Sequence, residues 1–211
     1  ASLFFIGLFQ MILRLVVFFT CVWVFMNLFR GEVLDRSLHF YMLSPIRREV
    51  LAAGKYVSGW IASSLALGGS TAACFVIVFA YLGGTGPEPA FGAGTLLLLA
   101  RYLGVVTVAC LAYGAVFLLV GLLLRSLILP ALILFLLEQV NVFLPGFLKK
   151  ISVIYYLHGM IPLPPTGGPV QILADPVSPW LAVPGIVLFT AATLVVAGLR
   201  VRSLEIGYGE E

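Results

Sequence analysis

Inside an apolar run that reads SLILPALILFLLEQVNVFL, three polar side chains stand close together: Glu138, Gln139 and Asn141. A carboxylate placed in lipid costs roughly 2.5–3.5 kcal/mol on insertion scales, so Glu138 has to face protein or water. Three arrangements meet that requirement: a polar lining near the outer end of a translocation path, a buried hydrogen bond to a neighbouring helix, or a place at the membrane interface. Arg14 and Arg101 pose the same problem in other apolar runs, where each either snorkels or pairs with an acid; neither has an evident partner in the sequence. His39 and His158 are the only histidines and the acids are scattered, so the sequence assembles neither a metal site nor a catalytic triad. Cys21, Cys74 and Cys110 lie at wide spacing in apolar surroundings without a CxxC pair, and read as buried thiols acting as small hydrophobes. Gly54-Lys55 fails as a phosphate loop: no glycine stands five positions earlier, and Tyr56 replaces the Ser/Thr that would hold magnesium. The chain therefore carries no nucleotide site, catalytic residue or cofactor of its own that the sequence can show.

The elements that position these residues are dictated by composition. Of 211 residues 62% are hydrophobic and 10% charged, and the mean hydropathy is +1.14. A soluble domain carries roughly 25% charged residues, so this chain has to show much of its surface to lipid. The net charge of +3 comes without a basic stripe interleaved with aromatics, which leaves nucleic-acid binding without support. Five stretches are long enough to span a bilayer as helices: about 3–28, 56–82, 94–124, 126–144 and 180–199. Lipid cannot satisfy free backbone groups, so runs of this length must be helical. The fold class is an all-α integral membrane protein, forming one domain over residues 1–211.

Alternate connections divide the basic residues unevenly. Arg30, Arg36, Arg47, Arg48, Lys55, Arg125, Arg200 and Arg202 fall on one side, and Lys149 and Lys150 on the other. Positive charge stays in the cytoplasm, which puts the first loop and the C-terminus inside and Ala1 outside. His39 and His158 then lie on opposite sides of the membrane and cannot share a haem. An N-terminus outside without a signal peptide is expected to follow a further helix upstream, giving six spans in the complete protein, in a plasma (inner) membrane.

The segment 30–55, RGEVLDRSLHFYMLSPIRREVLAAGK, carries the most information. Leu34, Leu38, Tyr41 and Met42 fall close to one helical face, with Glu32, Asp35, Arg36 and His39 mostly elsewhere around the helix. Ser44-Pro45 stops that helix, because proline disfavours helical geometry in the residue before it. A second helical stretch begins near Arg47 and runs into the next span. By physics alone this is a short interfacial helix that connects two spans. The pattern Glu32, Asp35, Leu38, Leu43-Ser44-Pro45-Ile46, Arg48, Leu51 and Gly54-Lys55 resembles the ABC type-2 permeases, the transmembrane subunits of ATP-binding-cassette exporters.

The resemblance implies that 30–55 is a cytoplasmic coupling segment, seated in a groove of a separate ABC ATPase subunit that holds ATP and magnesium. Asp35, Leu38, Tyr41 and Arg48 are the residues expected at that contact. It also implies six helices per subunit, pairing with a second permease subunit as a homo- or heterodimer, and an extracellular re-entrant hairpin before the last helix, which the Pro/Gly-rich 145–179 stretch would supply. The function so implied is export driven by ATP hydrolysis in the partner; a membrane anchor or scaffold that keeps the permease fold without transporting is the alternative. The small residues Gly59, Ala62, Ser63, Ala66, Ser70 and Ala73 serve helix packing within the subunit or a dimer seam. The stretch IPLPPTGGPV, 161–170, is expected to be extended.

Overall fold

The computed structural model describes residues 2–34, 48–82, 92–123, 128–140, 152–161 and 179–202, and every element among them is helical. α1 (Ser2–Met11) runs through a six-residue π-helical turn (Ile12–Val17) directly into α2 (Phe18–Leu34). There follow α3 (Arg48–Leu82), α4 (Ala93–Leu123), α5 (Ile128–Val140), α6 (Val153–Met160) and α7 (Pro179–Arg202). Four stretches are long and apolar enough to cross a membrane: Phe4–Phe25, Val50–Tyr81, Gly94–Leu123 and Trp180–Arg200. The chain is a multi-pass membrane protein.

Four of the five expected spans are thus helices of spanning length. The stretch expected over 126–144 is described as α5, whose 13 residues reach only about 20 Å against roughly 30 Å of hydrocarbon. Pro130 lies in its first turn, where a missing N–H costs no helical bond. α3 begins at Arg48, close to where the Ser44-Pro45 stop predicts a new helix. The amphipathic helix expected over 32–43 lies outside the described residues from position 35 onward, as do Asp35, Leu38, Tyr41 and His39. Arg48 opens α3, but its side chain is outside the described set.

The π-helical turn follows from the spacing of the buried residues around it. Phe5, Phe9, Leu13, Val17, Cys21 and Phe25 are all buried, each four positions from the last. An α-helix of 3.6 residues per turn rotates such a stripe by about 40° per step, or about 200° over the five steps. A wider turn in the middle takes back part of that drift and keeps both ends on the core.

Ring contacts fix how the helices run. Phe5 packs edge-on against Phe75 at 4.9 Å and Tyr102 at 5.0 Å, while Phe25 meets Tyr56 at 5.7 Å. α1–α2 and α3 are therefore antiparallel. Phe18 meets Tyr113 at 5.6 Å and Phe117 at 5.0 Å, so α4 runs in the same direction as α1–α2. The Tyr56 hydroxyl donates to the Leu111 carbonyl at 2.6 Å, and Trp60 Nε1 donates to that of Thr107 at 3.1 Å, which sets the register of α3 on α4. α4 is the central helix: 56% of its span is buried, against 22% for α7. Exposed α7 keeps its hydroxyls within the helix, Thr190 donating to the Ile186 carbonyl and Thr193 to that of Phe189.

Two glycines make the α2–α3–α4 seam possible. A Cβ on Gly114 would sit 2.5 Å from the Phe25 ring, and one on Gly59 would sit 2.8 Å from Leu28. The small residues of α3 divide accordingly. Gly59 and Ser63 face inward, whereas Ala62, Ala66, Ser70 and Ala73 are exposed.

Candidate functional site

Of the three polar residues expected together near the end of α5, the structure uses Glu138. Its Oε2 accepts the Ser152 hydroxyl at 2.8 Å and the Ile154 amide at 3.3 Å, and its Oε1 accepts the Val153 amide at 3.2 Å. The Tyr113 hydroxyl, from the middle of α4, lies close enough to add a hydrogen bond to the same carboxylate. Gln139 is half-buried and takes no part in these bonds, and Asn141 lies outside the described residues. Among the described residues Glu138 is thus hydrogen-bonded to a neighbouring helix.

The chemistry is that of a borrowed helix cap. The first N–H groups of a helix lack intrahelical acceptors and carry roughly half a positive charge. Ser152 stands at the N-cap of α6 in an extended conformation (φ −81°, ψ 134°), yet its hydroxyl makes no capping bond. It donates to Glu138 instead, and the carboxylate accepts the first two amides of α6 in its place. Lipid offers no substitute acceptor, so a carboxylate supplied by α5 settles two needs together: its own charge and the open end of α6. The helix is then pinned from its other sides. Val153, Ile154 and Leu157 are buried, and Tyr156 lies over Gly185 of α7, where a Cβ would come within 2.6 Å of the ring. Gly185 follows Pro184, a proline inside the helix that leaves one carbonyl of α7 without its usual donor.

Arg14 belongs to the same neighbourhood, which its sequence position did not reveal. It sits in the π-helical turn, one turn before Phe18, whose ring packs on Tyr113 and, at 5.5 Å, on Phe135 of α5. The Arg14 charge acts on both Tyr113 and His158. Burial, with that charge beside it, lowers the His158 imidazole to about 4, so it is neutral at ordinary pH. Arg14 and Glu138, which looked unrelated in the sequence, thus both act on Tyr113, and Arg14 acts on His158 as well. Arg101 remains apart and exposed on α4.

Tyr113, Ser152 and α6 itself escaped the sequence reading. A usable sign was present: Ser152 directly precedes Val153, Ile154, Leu157 and Ile161, an N-cap residue followed by one apolar helical face. The structure also brings Cys21 and Cys110 together as neighbouring buried thiols on α2 and α4, in keeping with their role as small interior hydrophobes. Among the described residues no group of three or more His, Cys, Asp or Glu is arranged to hold a metal. A groove of about 530 Å³ between α3 and α4, bordered by Trp60, Ser64, Gly68, Leu103 and Thr107, is mostly apolar and open to the outside of the bundle. Comparison with known protein families, with curated proteins and with solved structures finds no match for this chain.

Proposed function

We propose that this chain is the membrane-spanning permease subunit of an ATP-driven exporter of the ABC type-2 kind. The observation that carries the reading is the way the 35–47 segment is mounted. Residues 2–34 form one helical rod of about 50 Å, and the 35 residues of α3 form another of about 52 Å, against roughly 30 Å of hydrocarbon. Asn27, Arg30 and Glu32 on one rod, with Arg48, Glu49 and Lys55 on the other, put the surplus length at the end that bears this segment. The rods are locked together close to that end, where Phe25 and Leu28 press on Gly59 and Phe25 lies against Tyr56. A push on the segment between them would move both rods as a unit. That is the mechanical requirement for coupling ATP hydrolysis in a separate subunit to movement of the spans.

In this reading the basic end is cytoplasmic, and Asp35, Leu38, Tyr41 and Arg48 meet an ABC ATPase chain that holds ATP and magnesium. The 126–144 stretch that contains α5 crosses the membrane, and the 145–179 stretch that contains α6 supplies the extracellular re-entrant hairpin before α7. A second permease subunit completes the transporter in a plasma (inner) membrane. The test is purification in gentle detergent, mass spectrometry of the complex and an ATPase assay. A co-purifying chain with a Walker motif is expected, and Asp35→Ala with Arg48→Ala should lower transport-coupled hydrolysis at least about tenfold without loss of the folded subunit. Companion membrane subunits with no ATPase among them would replace this reading with that of an anchor or scaffold.

A further inference from the structure

Beyond the two hydrogen bonds that clasp α3 to α4, at Tyr56 and Trp60, the groove of about 530 Å³ opens between the helices. It follows one strip of α3, from Trp60 through Ser64 and Gly68 to Ala72, with Leu103 and Thr107 of α4 as the facing wall. The space exists because that strip is built of small residues. A Cβ on Gly68 would only reach ordinary contact with Leu103, at 3.7 Å, and one on Gly69 would meet nothing within 4 Å.

The polar atoms along the groove are engaged or covered. Trp60 Nε1 donates to the Thr107 carbonyl, the Thr107 hydroxyl donates to that of Leu103 at 2.8 Å, and the Ser64 hydroxyl is enclosed. What the groove presents is therefore hydrocarbon. Its rim on α3, Ile61 and Leu65, is exposed and continuous with the lipid-facing side of the Val50–Tyr81 span.

Shape selects the occupant. From Trp60 to Ala72 the strip is about 18 Å long. Spread over that length, 530 Å³ gives a channel of about 30 Å² in cross-section. A helix with its side chains, roughly 10–12 Å across, needs about 80–110 Å². An extended hydrocarbon chain fits where a helix does not, and the strip lies well inside the Val50–Tyr81 span, where the bilayer supplies such chains. A chain seated there touches α3, α4 and the floor between them, whereas one against the outside of the bundle touches a single side; an empty groove would forfeit those contacts.

We propose that the α3–α4 groove holds the hydrocarbon tail of a bilayer lipid as a fixed part of the packed subunit, in the space left by the small side chains of Gly68, Gly69 and Ala72. Tail binding needs no ATPase partner, so it stands or falls apart from the transport reading.

Trp60, one of three tryptophans, lines the groove and reports on it. The full chain carrying Trp23→Phe and Trp180→Phe is reconstituted in dioleoylphosphatidylcholine vesicles, and the lipid is then replaced by its analogue brominated at mid-tail, which quenches indole emission on contact. Trp60 should be quenched, and Gly69→Phe, which fills the open space, should reduce that quenching at least about twofold. Ala72→Leu narrows the groove at its far end and should act in the same direction, so the result does not hang on one variant folding. Leu132→Phe, exposed on α5 and no part of the groove wall, should change nothing. Quenching that stays the same in Gly69→Phe and Ala72→Leu would mean that Trp60 meets only the lipid around the bundle, and overturns the proposal. An unquenched Trp60 overturns it too; elution as a dimer that Gly69→Phe returns to a monomer would then assign the groove to a second copy of the chain.

Discussion

Tyr113 and Gly114 are adjacent on α4, yet they hold it in place by different means. Tyr113 faces the Glu138 carboxylate and the start of α6, where the contact consists of directional hydrogen bonds. Gly114 faces Phe25 of α2, where the contact is shape alone, a ring lying where a side chain would otherwise be. Both devices answer one physical fact. Lipid tails are as apolar as leucine, so burying apolar area does little to hold helices together, and packing and hydrogen bonds take over. The seam and the knot should therefore fail differently when altered.

The largest effect is expected at the knot. Glu138→Ala leaves the Ser152 hydroxyl and two amides of α6 without an acceptor, in surroundings where water does not replace it. A loss of about 3–5 kcal/mol is expected, or a fall of roughly 10 °C in the thermal midpoint of the detergent-purified chain. Glu138→Gln keeps one carbonyl oxygen and turns the other acceptor into a donor, so it should recover only about half of that loss. An alanine variant as stable as the wild type would mean that α6 is held by Tyr156 on Gly185 and by its buried apolar face, leaving the knot no structural role.

At the seam the expected loss is smaller and its cause is steric. Gly114→Ala puts a methyl group 2.5 Å from the Phe25 ring, which is 1% exposed and has little room to retreat. Overpacking of this kind costs about 1–3 kcal/mol. Phe25→Leu in the same chain should return part of it, a non-additivity that a hydrogen-bonded contact would not produce. Gly104→Ala is the control: nothing lies within 4 Å of the added carbon, so the change should be neutral or should raise stability by about 0.5–1 kcal/mol through helix propensity.

The two regions also differ in how far the sequence disclosed them. Length and hydropathy sufficed for α1–α2, α3, α4 and α7, because a span is a property of some twenty consecutive residues. The Ser44-Pro45 stop likewise placed the start of α3 close to Arg48. Glu138 could be recognised as a buried polar group, since an acid in lipid has few options. Its partners could not, for three reasons. α6 is only 8 residues long and sits in a stretch whose prolines and glycines read as loop. Tyr113 is one of several aromatics on α4, with nothing local to mark it. The approach of Arg14 depends on a π-helical turn, visible in the sequence only as the four-residue spacing from Phe5 to Phe25. Cys21 and Cys110 show the same limit: each was recognisable as a buried thiol, but their adjacency is a product of helix packing.

The smallest predicted effects decide whether the seam is governed by shape alone. Two tyrosines are buried in it under opposite conditions. The Tyr56 hydroxyl donates to the Leu111 carbonyl at 2.6 Å, whereas the Tyr102 hydroxyl is buried without a partner, its ring packed against Phe5 and Phe9. Removing a satisfied hydroxyl forfeits its bond, while removing an unsatisfied one relieves the desolvation it carries. Tyr56→Phe should therefore lower stability by about 1 kcal/mol, and Tyr102→Phe should leave it unchanged or raise it by a similar amount, both read as shifts in the thermal midpoint. Opposite signs would make the seam an apolar fit clasped by hydrogen bonds only at Tyr56 and Trp60. A loss at both positions would mean that the Tyr102 hydroxyl finds a bond in the membrane, and that hydrogen bonds hold the N-terminal half of α4 as firmly as they hold the knot.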